Sequence, residues 1–118
     1  MDKISRNTAE HYCWKEICDG WHFMKRDDMS VIAEKMPPHT AEDMHCHRKA
    51  RQFFYILSGE AVMKLSDSEI VIYAGEGIEI VPGTAHQMTN RTDLELEFLV
   101  ISTPKSHGDK MIITQEEN

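Results

Sequence analysis

The chain of 118 residues is long enough for one domain with a sizeable core. Thirteen Lys and Arg against twenty Asp and Glu give a formal net charge of −7, which argues against nucleic acid or an anionic membrane as a partner, because both need a basic face. No apolar run approaches the roughly 18 residues of a membrane span, and no apolar stretch for secretion follows the first methionine. The three cysteines form no CxxC pair, so we expect free thiols and a cytoplasmic location.

The first 29 residues carry the weakest local signals, and we assign them to an N-terminal arm with edge strands. Thr8 to Tyr12 is compatible with one capped helical turn. Asp19-Gly20 predicts a tight turn just before Trp21. The arm is followed by a predicted barrel over residues 30–104 and a C-terminal tail over 105–118, all within a single domain.

From residue 30 onwards the sequence predicts short strands separated by turns. Pro37-Pro38 ends the first of them, because proline cannot continue a ladder of hydrogen bonds. Strands of this length, with turns every 8–12 residues or so and no long helix, predict an all-β antiparallel sandwich or barrel. The predicted strands are Ser30–Met36, Gln52–Leu57, Ala61–Ser66, Glu69–Tyr73, Ile78–Val81, Ala85–Thr89 and Leu94–Ile101.

A group of potential metal ligands lies between these strands. His45 and His47 are two residues apart in extended chain, so their imidazoles point to the same face, whereas Cys46 points away. Gln52 opens the next strand after a four-residue connection, and His86 lies at the start of another. Three neutral imidazole nitrogens and one amide oxygen suit a divalent transition metal such as zinc, nickel, iron or copper.

The spacing of these residues resembles the two sequence motifs of the cupin family. The matching residues are His45, His47, Gln52 and Gly59 in the first motif and Gly75, Gly83, His86 and Asn90 in the second. The strand pattern on either side extends the resemblance over residues 30 to about 104. The resemblance implies an antiparallel double-stranded β-helix, or jelly-roll barrel, with one divalent transition metal per chain held by His45, His47, Gln52 and His86.

Three positions depart from the cupin pattern. Gln52 replaces the usual glutamate, His39 stands at a usual glycine, and Val81 stands at a usual proline, with Pro82 one place late. The last two affect turn geometry alone. An amide in place of a carboxylate leaves the full divalent charge on the centre, which favours zinc or nickel, with iron, copper and manganese as alternatives.

Cupins with three histidines and one glutamine include enzymes that linearise unsaturated uronates and polyketide cyclases, which this chain resembles. Aligning Thr103-Pro104 with the uronate group puts Val100 and Ser106 where that group has a catalytic acid and an arginine. Its catalytic pair therefore cannot be transferred to this chain. The C-terminal tail is instead similar to that of small stand-alone cupins without an assigned activity.

We therefore expect a metal-dependent cupin that acts on a small polar organic molecule, in which the ion polarises a carbonyl or hydroxyl in an isomerisation, tautomerisation or cyclisation. One alternative is oxygen-dependent cleavage of a phenolic or enolic substrate, which some three-histidine cupins perform. A second alternative is a module that binds or senses a small molecule without turnover.

Several further residues have two interpretations each. Phe54, Met88 and Phe98 should face the barrel interior, where they could line a substrate pocket or pack in the core. His39 could act as an acid or base at the mouth of the barrel, although a histidine at such a position is more often an exposed turn residue without a catalytic role. His107 and Asp109 could form an orienting pair or cap a turn. His11 and His22 lie far upstream and are weaker candidates.

The N-terminal arm also suggests self-association. It carries more large apolar side chains than a free tail needs, namely Tyr12, Trp14, Ile17, Trp21 and Phe23. Small cupins resemble one another in forming two-fold dimers, and a twofold is the commonest symmetry of soluble oligomers. We expect a homodimer; the alternative is that this segment folds back on its own barrel.

Overall fold

The computed structural model describes residues 1–106 and 108–114, and within them the regular structure consists of twelve β-strands. The strands are β1 (Glu10–Trp14), β2 (Cys18–Lys25), β3 (Ser30–Met36), β4 (Thr40–Ala41), β5 (His45–His47), β6 (Arg51–Ser58), β7 (Glu60–Leu65), β8 (Glu69–Tyr73), β9 (Gly77–Ile80), β10 (His86–Asn90), β11 (Leu96–Thr103) and β12 (Lys110–Ile112). In this part of the chain no helix is long and apolar enough to cross a membrane.

The strands form two sheets, and every pairing is antiparallel. The first sheet has the order β1-β2-β3-β11-β6-β9, and the second has the order β12-β5-β10-β7-β8, with β4 also paired to β10. The prediction of an all-β antiparallel double-stranded β-helix is confirmed.

The predicted strands from residue 30 onwards all exist, within one or two residues of their expected ends. Leu94 is the exception to the predicted alternation: it is 70 % exposed and precedes β11, which begins at Leu96. Along β6 and β11, alternate side chains are buried, and their registers pair Gln52 with Ser102, Phe54 with Val100 and Ile56 with Phe98. This alternation brings Gln52 to the inner face of the first sheet.

Two predictions for the N-terminal arm are wrong. Residues 10–14 form a strand rather than a helical turn, and the hydrogen-bonded turn lies earlier, where the Thr8 amide donates to Ser5 O at 3.1 Å. Asp19 and Gly20 lie inside β2, while the turn between β1 and β2 falls at Lys15 and Glu16, both with positive φ. Gly20 serves a packing purpose: a Cβ there would lie 2.2 Å from the Tyr12 ring.

Two of the motif residues hold the barrel together. Gly59 has φ +91°, and a Cβ there would lie 2.5 Å from Glu95 O, so only glycine fits between β6 and β7. Asn90 is fully buried, and its amide donates to three backbone oxygens, those of Met36, Pro37 and Leu94. These contacts join the end of β10 to the loops around it.

The core lies between the two sheets. Its largest fully buried apolar side chains are Met36, Ile56, Met63, Met88, Leu96 and Phe98. The three cysteines are unpaired, as expected. The division into arm, barrel and tail remains a prediction; in the structure β1 and β2 continue the first sheet, and β12 pairs with β5.

Candidate metal centre

Three strands bring the predicted ligands together. His45 and His47 lie on β5, and His86 on β10 pairs directly with His45, so all three side chains lie on one face of the second sheet. The Gly83 amide donates to His47 O at 2.7 Å, which ties the turn before His86 to β5. One potential ligand atom from each histidine lies within 4.8 Å of the other two, and all three residues are buried.

Hydrogen bonds to the backbone orient two of the imidazoles. His45 Nδ1 lies 2.7 Å from Asp43 O, and His86 Nδ1 lies 2.9 Å from Thr84 O. Since a carbonyl oxygen can only accept, each Nδ1 carries the hydrogen, and each Nε2 is left with its lone pair. That tautomer is the one that binds a metal through Nε2.

Gln52 reaches the same region from the first sheet. Its Nε2 donates to Ser102 Oγ at 3.1 Å, which directs Oε1 away from Ser102. Gln52 Oε1, His86 Nε2 and His47 Nδ1 are all buried without a hydrogen-bond partner among the described residues. Unpartnered buried polar atoms are costly, and a divalent cation would satisfy the oxygen and the imidazole nitrogens together. The residues therefore fit a metal of the kind that the sequence predicts.

The protonation of the histidines also favours a cation. Burial lowers the pKa of His45 from its ordinary 6.5 to about 3 and that of His47 to about 4. Burial likewise lowers the pKa of His86. All three imidazoles are neutral at pH 7, so a metal would displace no protons from them.

A cavity of ≈ 740 Å³ opens over this centre. Its walls include His45, His47, Gln52 and Phe54. Met88 and Phe98 are fully buried members of the core instead, outside the cavity wall. Of the three residues expected to face the interior, Phe54 alone therefore meets the cavity.

The same cavity contains polar residues that sequence reasoning missed. Tyr12, Glu34, Glu42 and Lys110 line it beside the histidines. Glu34 could have been found, because it shares a strand face with Ile32 and Met36, where a carboxylate is out of place. Tyr12 and Lys110 needed the long-range pairing of β1 and β12, and Glu42 needed the contact of the chain after β4 with Met88 on β10.

Two of the remaining candidates have hydrogen-bond partners outside the three histidines. His39 is an exposed turn residue whose Nε2 lies 2.7 Å from Asp93 Oδ1. Asp109 caps a turn, since its Oδ2 accepts from the amides of Lys49 and Ala50. His107 lies outside the described residues, so its predicted pairing with Asp109 stays a prediction.

A second group of potential ligands is found on the outer surface. His11, Cys13 and Asp19 lie within reach of one another, and His11 Nε2 is 2.7 Å from Asp19 Oδ1. These residues are exposed or half-buried, and none of their atoms is a buried polar group without a partner. His22, the other upstream histidine, lines the cavity.

Comparison with known proteins supports the motif assignment. Residues 33–102 match the model of the cupin domain family. An uncharacterized protein of Methanocaldococcus jannaschii is 31 % identical over 84 residues, which cover 70 % of this chain and 67 % of that protein. The oxalate-binding protein of Thermotoga maritima is 31 % identical over 67 residues, which cover 57 % of this chain and 55 % of that protein.

The fold is also shared with solved structures. The polyketide cyclase RemF from Streptomyces resistomycificus superposes with a TM-score of 0.84 and 16 % identity, over 99 % of this chain and 88 % of that one. A structural similarity at 16 % identity shows only that the fold is shared. The match to the cupin domain model covers more than half of the chain and therefore shows the family. The chain belongs to the cupin family.

Proposed function

We propose that this cupin holds one divalent transition metal through His45, His47, His86 and Gln52 and acts on a small oxygen-bearing molecule in the cavity above it. One observation carries the proposal: three buried, neutral imidazoles converge where Gln52 Oε1 has no other partner among the described residues. The reaction class we favour is isomerisation, tautomerisation or cyclisation. When bound, the ion would polarise a carbonyl or hydroxyl as a Lewis acid.

The donor set favours this chemistry over others. None of the four proposed ligands carries a charge, so the centre would keep the full divalent charge and polarise an oxygen strongly. Zinc and nickel suit such nitrogen-rich sites better than manganese, which prefers carboxylates. The cavity of ≈ 740 Å³ combines apolar walls, such as Trp14 and Phe54, with polar groups, such as Lys110 and Glu42, and would suit a small polar organic molecule.

Element analysis of untagged protein tests the metal site. We expect about one metal per chain in the wild type and little in the His45→Ala/His47→Ala double variant, with both proteins folded by circular dichroism. His39→Ala is the matched control, because His39 is an exposed histidine paired with Asp93. Equal metal in the double variant and the wild type would contradict the site.

A non-catalytic binding module is the second candidate. It is favoured by the oxalate-binding protein of Thermotoga maritima, which is 31 % identical over 57 % of this chain. Calorimetric titration of metal-loaded protein with oxalate distinguishes the two. Tight saturable binding with no turnover of small carbonyl compounds would favour the module, whereas oxygen uptake with a phenol would point to a dioxygenase.

A further inference from the structure

A tyrosine and a glutamate form a hydrogen-bonded pair on the wall that the first sheet contributes to the cavity. Tyr12 on β1 donates its hydroxyl hydrogen to Glu34 Oε1 on β3 at 3.0 Å, and both side chains line the cavity that contains His45 and His47. Among the described residues, Glu34 has no cation within ion-pair distance. None of the proposed ligand roles requires this pair.

The backbone is arranged so that the two side chains meet. In the first sheet Tyr12 pairs with Gly20 on β2, and Gly20 pairs with Glu34 on β3. The Tyr12 ring therefore lies across β2, where a Cβ on residue 20 would come within 2.2 Å of it. A glycine in the middle of a strand weakens the strand, so its presence here reflects the close approach of the ring.

The surroundings make Glu34 able to hold a proton near neutral pH. Burial raises its pKa from the ordinary 4.5 to about 7, against the lowering effects of the Tyr12 hydroxyl and Lys110. Burial and the adjacent Glu34 raise the pKa of Tyr12, so its phenol remains a donor. The other titratable groups that line the same cavity are Glu10, Lys15, His22, Lys25, Glu42, Asp43, His45, His47 and Lys110.

We propose that Glu34 is the general base and acid of this site, that Tyr12 positions it, and that the substrate is a small α-hydroxy carbonyl compound whose oxygens face the metal centre. The inference rests on the proposed function, because it places the substrate between the histidines and Glu34. It adds the proton acceptor that the neutral ligands cannot supply: Gln52 stands where most cupins have a carboxylate.

The reaction is a proton shift that needs no oxidant or reductant. The C–H bond of the hydroxyl-bearing carbon breaks and its proton goes to the Glu34 carboxylate. Its electron pair forms the carbon–carbon double bond of an enediolate, while the π pair of the carbonyl group moves onto the carbonyl oxygen. The hydroxyl proton then passes to that oxygen, a new carbonyl bond forms at the first carbon, and the double-bond pair takes the proton back from Glu34 at the neighbouring carbon. The hydroxyl and carbonyl groups have then exchanged places. Tyr12 keeps its own proton throughout and holds the carboxylate in one orientation.

Deuterium exchange tests the step. Zinc-loaded and nickel-loaded protein are incubated with dihydroxyacetone in heavy water, and loss of the C–H signal is followed by proton NMR. We expect the Glu34→Gln variant to lose about 100-fold in rate, as loss of a general base does, and Tyr12→Phe about 10-fold, as loss of a hydrogen bond to a charged group does. Glu16→Gln, at an exposed turn, is the control and should match the wild type.

Carbon-13 NMR of glutamate carboxyls in metal-free protein gives a second readout. One resonance should titrate near pH 7 and disappear in Glu34→Gln. In Tyr12→Phe it should titrate at higher pH, because the hydrogen bond that favours the ionised carboxylate is lost. A Tyr12 that merely packs against β2 would leave that titration where it is.

The outcomes separate the two proposals. Metal-loaded wild type that gives no exchange, or Glu34→Gln protein that exchanges at the wild-type rate, overturns the role of Glu34 and leaves the metal site standing. Wild-type protein that is found to contain no metal overturns the proposed function. The role of Tyr12 and Glu34 is then judged by the carbon-13 titration alone. A Glu34 resonance that titrates at the ordinary pKa of a glutamate would overturn that role as well.

Discussion

Gln52 and Ser102 face each other across β6 and β11, and the 3.1 Å hydrogen bond from Gln52 Nε2 to Ser102 Oγ fixes the amide. Both residues are buried, at 5 % and 0 % exposure, so the amide has little freedom to rotate. The contact sets which atom of Gln52 faces the three histidines. The hydrogen bond explains how an uncharged side chain, which would be a weak metal ligand, can still be held in one orientation.

Ser102→Ala should therefore lower metal affinity without removing a ligand. We expect a loss of about 10-fold, the lower end of what the loss of a hydrogen bond to a metal ligand costs. Competition with a chromophoric chelator measures it. Ser68→Ala, at an exposed serine, is the control and should bind as the wild type does. Unchanged affinity in Ser102→Ala would mean that Gln52 does not depend on this bond.

Gln52→Glu should change which metal is preferred. A carboxylate adds a negative charge and a harder oxygen donor, so manganese and iron should gain relative to zinc and nickel. The measurement is metal content after equilibration with an equimolar mixture of manganese and zinc. Gln87→Glu is the control, since Gln87 lies on β10 beside His86 but its amide donates to Glu42 O. An unchanged manganese-to-zinc ratio would remove Gln52 from the ligand set.

The histidines should make the metal-free protein less stable in acid. His45 and His47 take up protons near 6.5 when unfolded but at about 3 and 4 when folded, so unfolding binds protons between these values. Their contribution to stability is complete above pH 6.5 and is lost as the pH falls towards 3. Glu34 has the opposite effect on the unfolding free energy. Its pKa is raised from 4.5 to about 7 in the folded protein, so its contribution to stability grows as the pH falls through this range. Variants must therefore be compared with the wild type at each pH.

Urea unfolding of metal-free protein between pH 4 and 8 tests this expectation. His47→Ala should flatten the dependence of the unfolding free energy on pH, because one buried imidazole is gone. Ser68→Ala removes an exposed hydroxyl that does not titrate and should shift the free energy by a constant without changing that dependence. Parallel curves for His47→Ala and the wild type would show that His47 is not kept neutral by burial.

The strand alternation and the motif spacing were sufficient to predict the fold and to select the four proposed ligands. Period-two burial along β6 and β11 follows from the pleat of a strand, which is a local property. The HxH spacing is likewise a local signal, because residues two apart on one strand point to the same face. The seven strands predicted from residue 30 onwards exist because each carries its own signal, whereas the short strands β4 and β12 carry none and are not predicted.

The polar wall of the cavity could not be predicted in the same way. Tyr12 meets Glu34 because three strands adopt one register, and local sequence does not determine that register. Asp19-Gly20 has the composition of a turn, but Gly20 makes room for the Tyr12 ring within a strand. Tyr12 and Trp14 were expected to support association, yet both line the cavity of their own chain.

The outer face of β6 is the better candidate for a dimer contact. Phe53, Tyr55 and Leu57 alternate with the buried residues of that strand and are 41 %, 37 % and 46 % exposed. Three large apolar side chains in a row on a sheet surface favour burial against a second copy, and a twofold would place the same row on both sides. We expect a homodimer built on this face.

Sedimentation at micromolar concentration tests the dimer. The wild type should sediment at twice the 13.6 kDa chain mass, and Tyr55→Glu should sediment at the chain mass, because a charge in the contact would be buried without a partner. Val71→Glu is the matched control, since Val71 is 47 % exposed on β8 of the other sheet and should leave the dimer intact. Wild type at the chain mass with no change on dilution would mean that the apolar row stays in contact with solvent. Dissociation by Val71→Glu and not by Tyr55→Glu would instead place the contact on the second sheet.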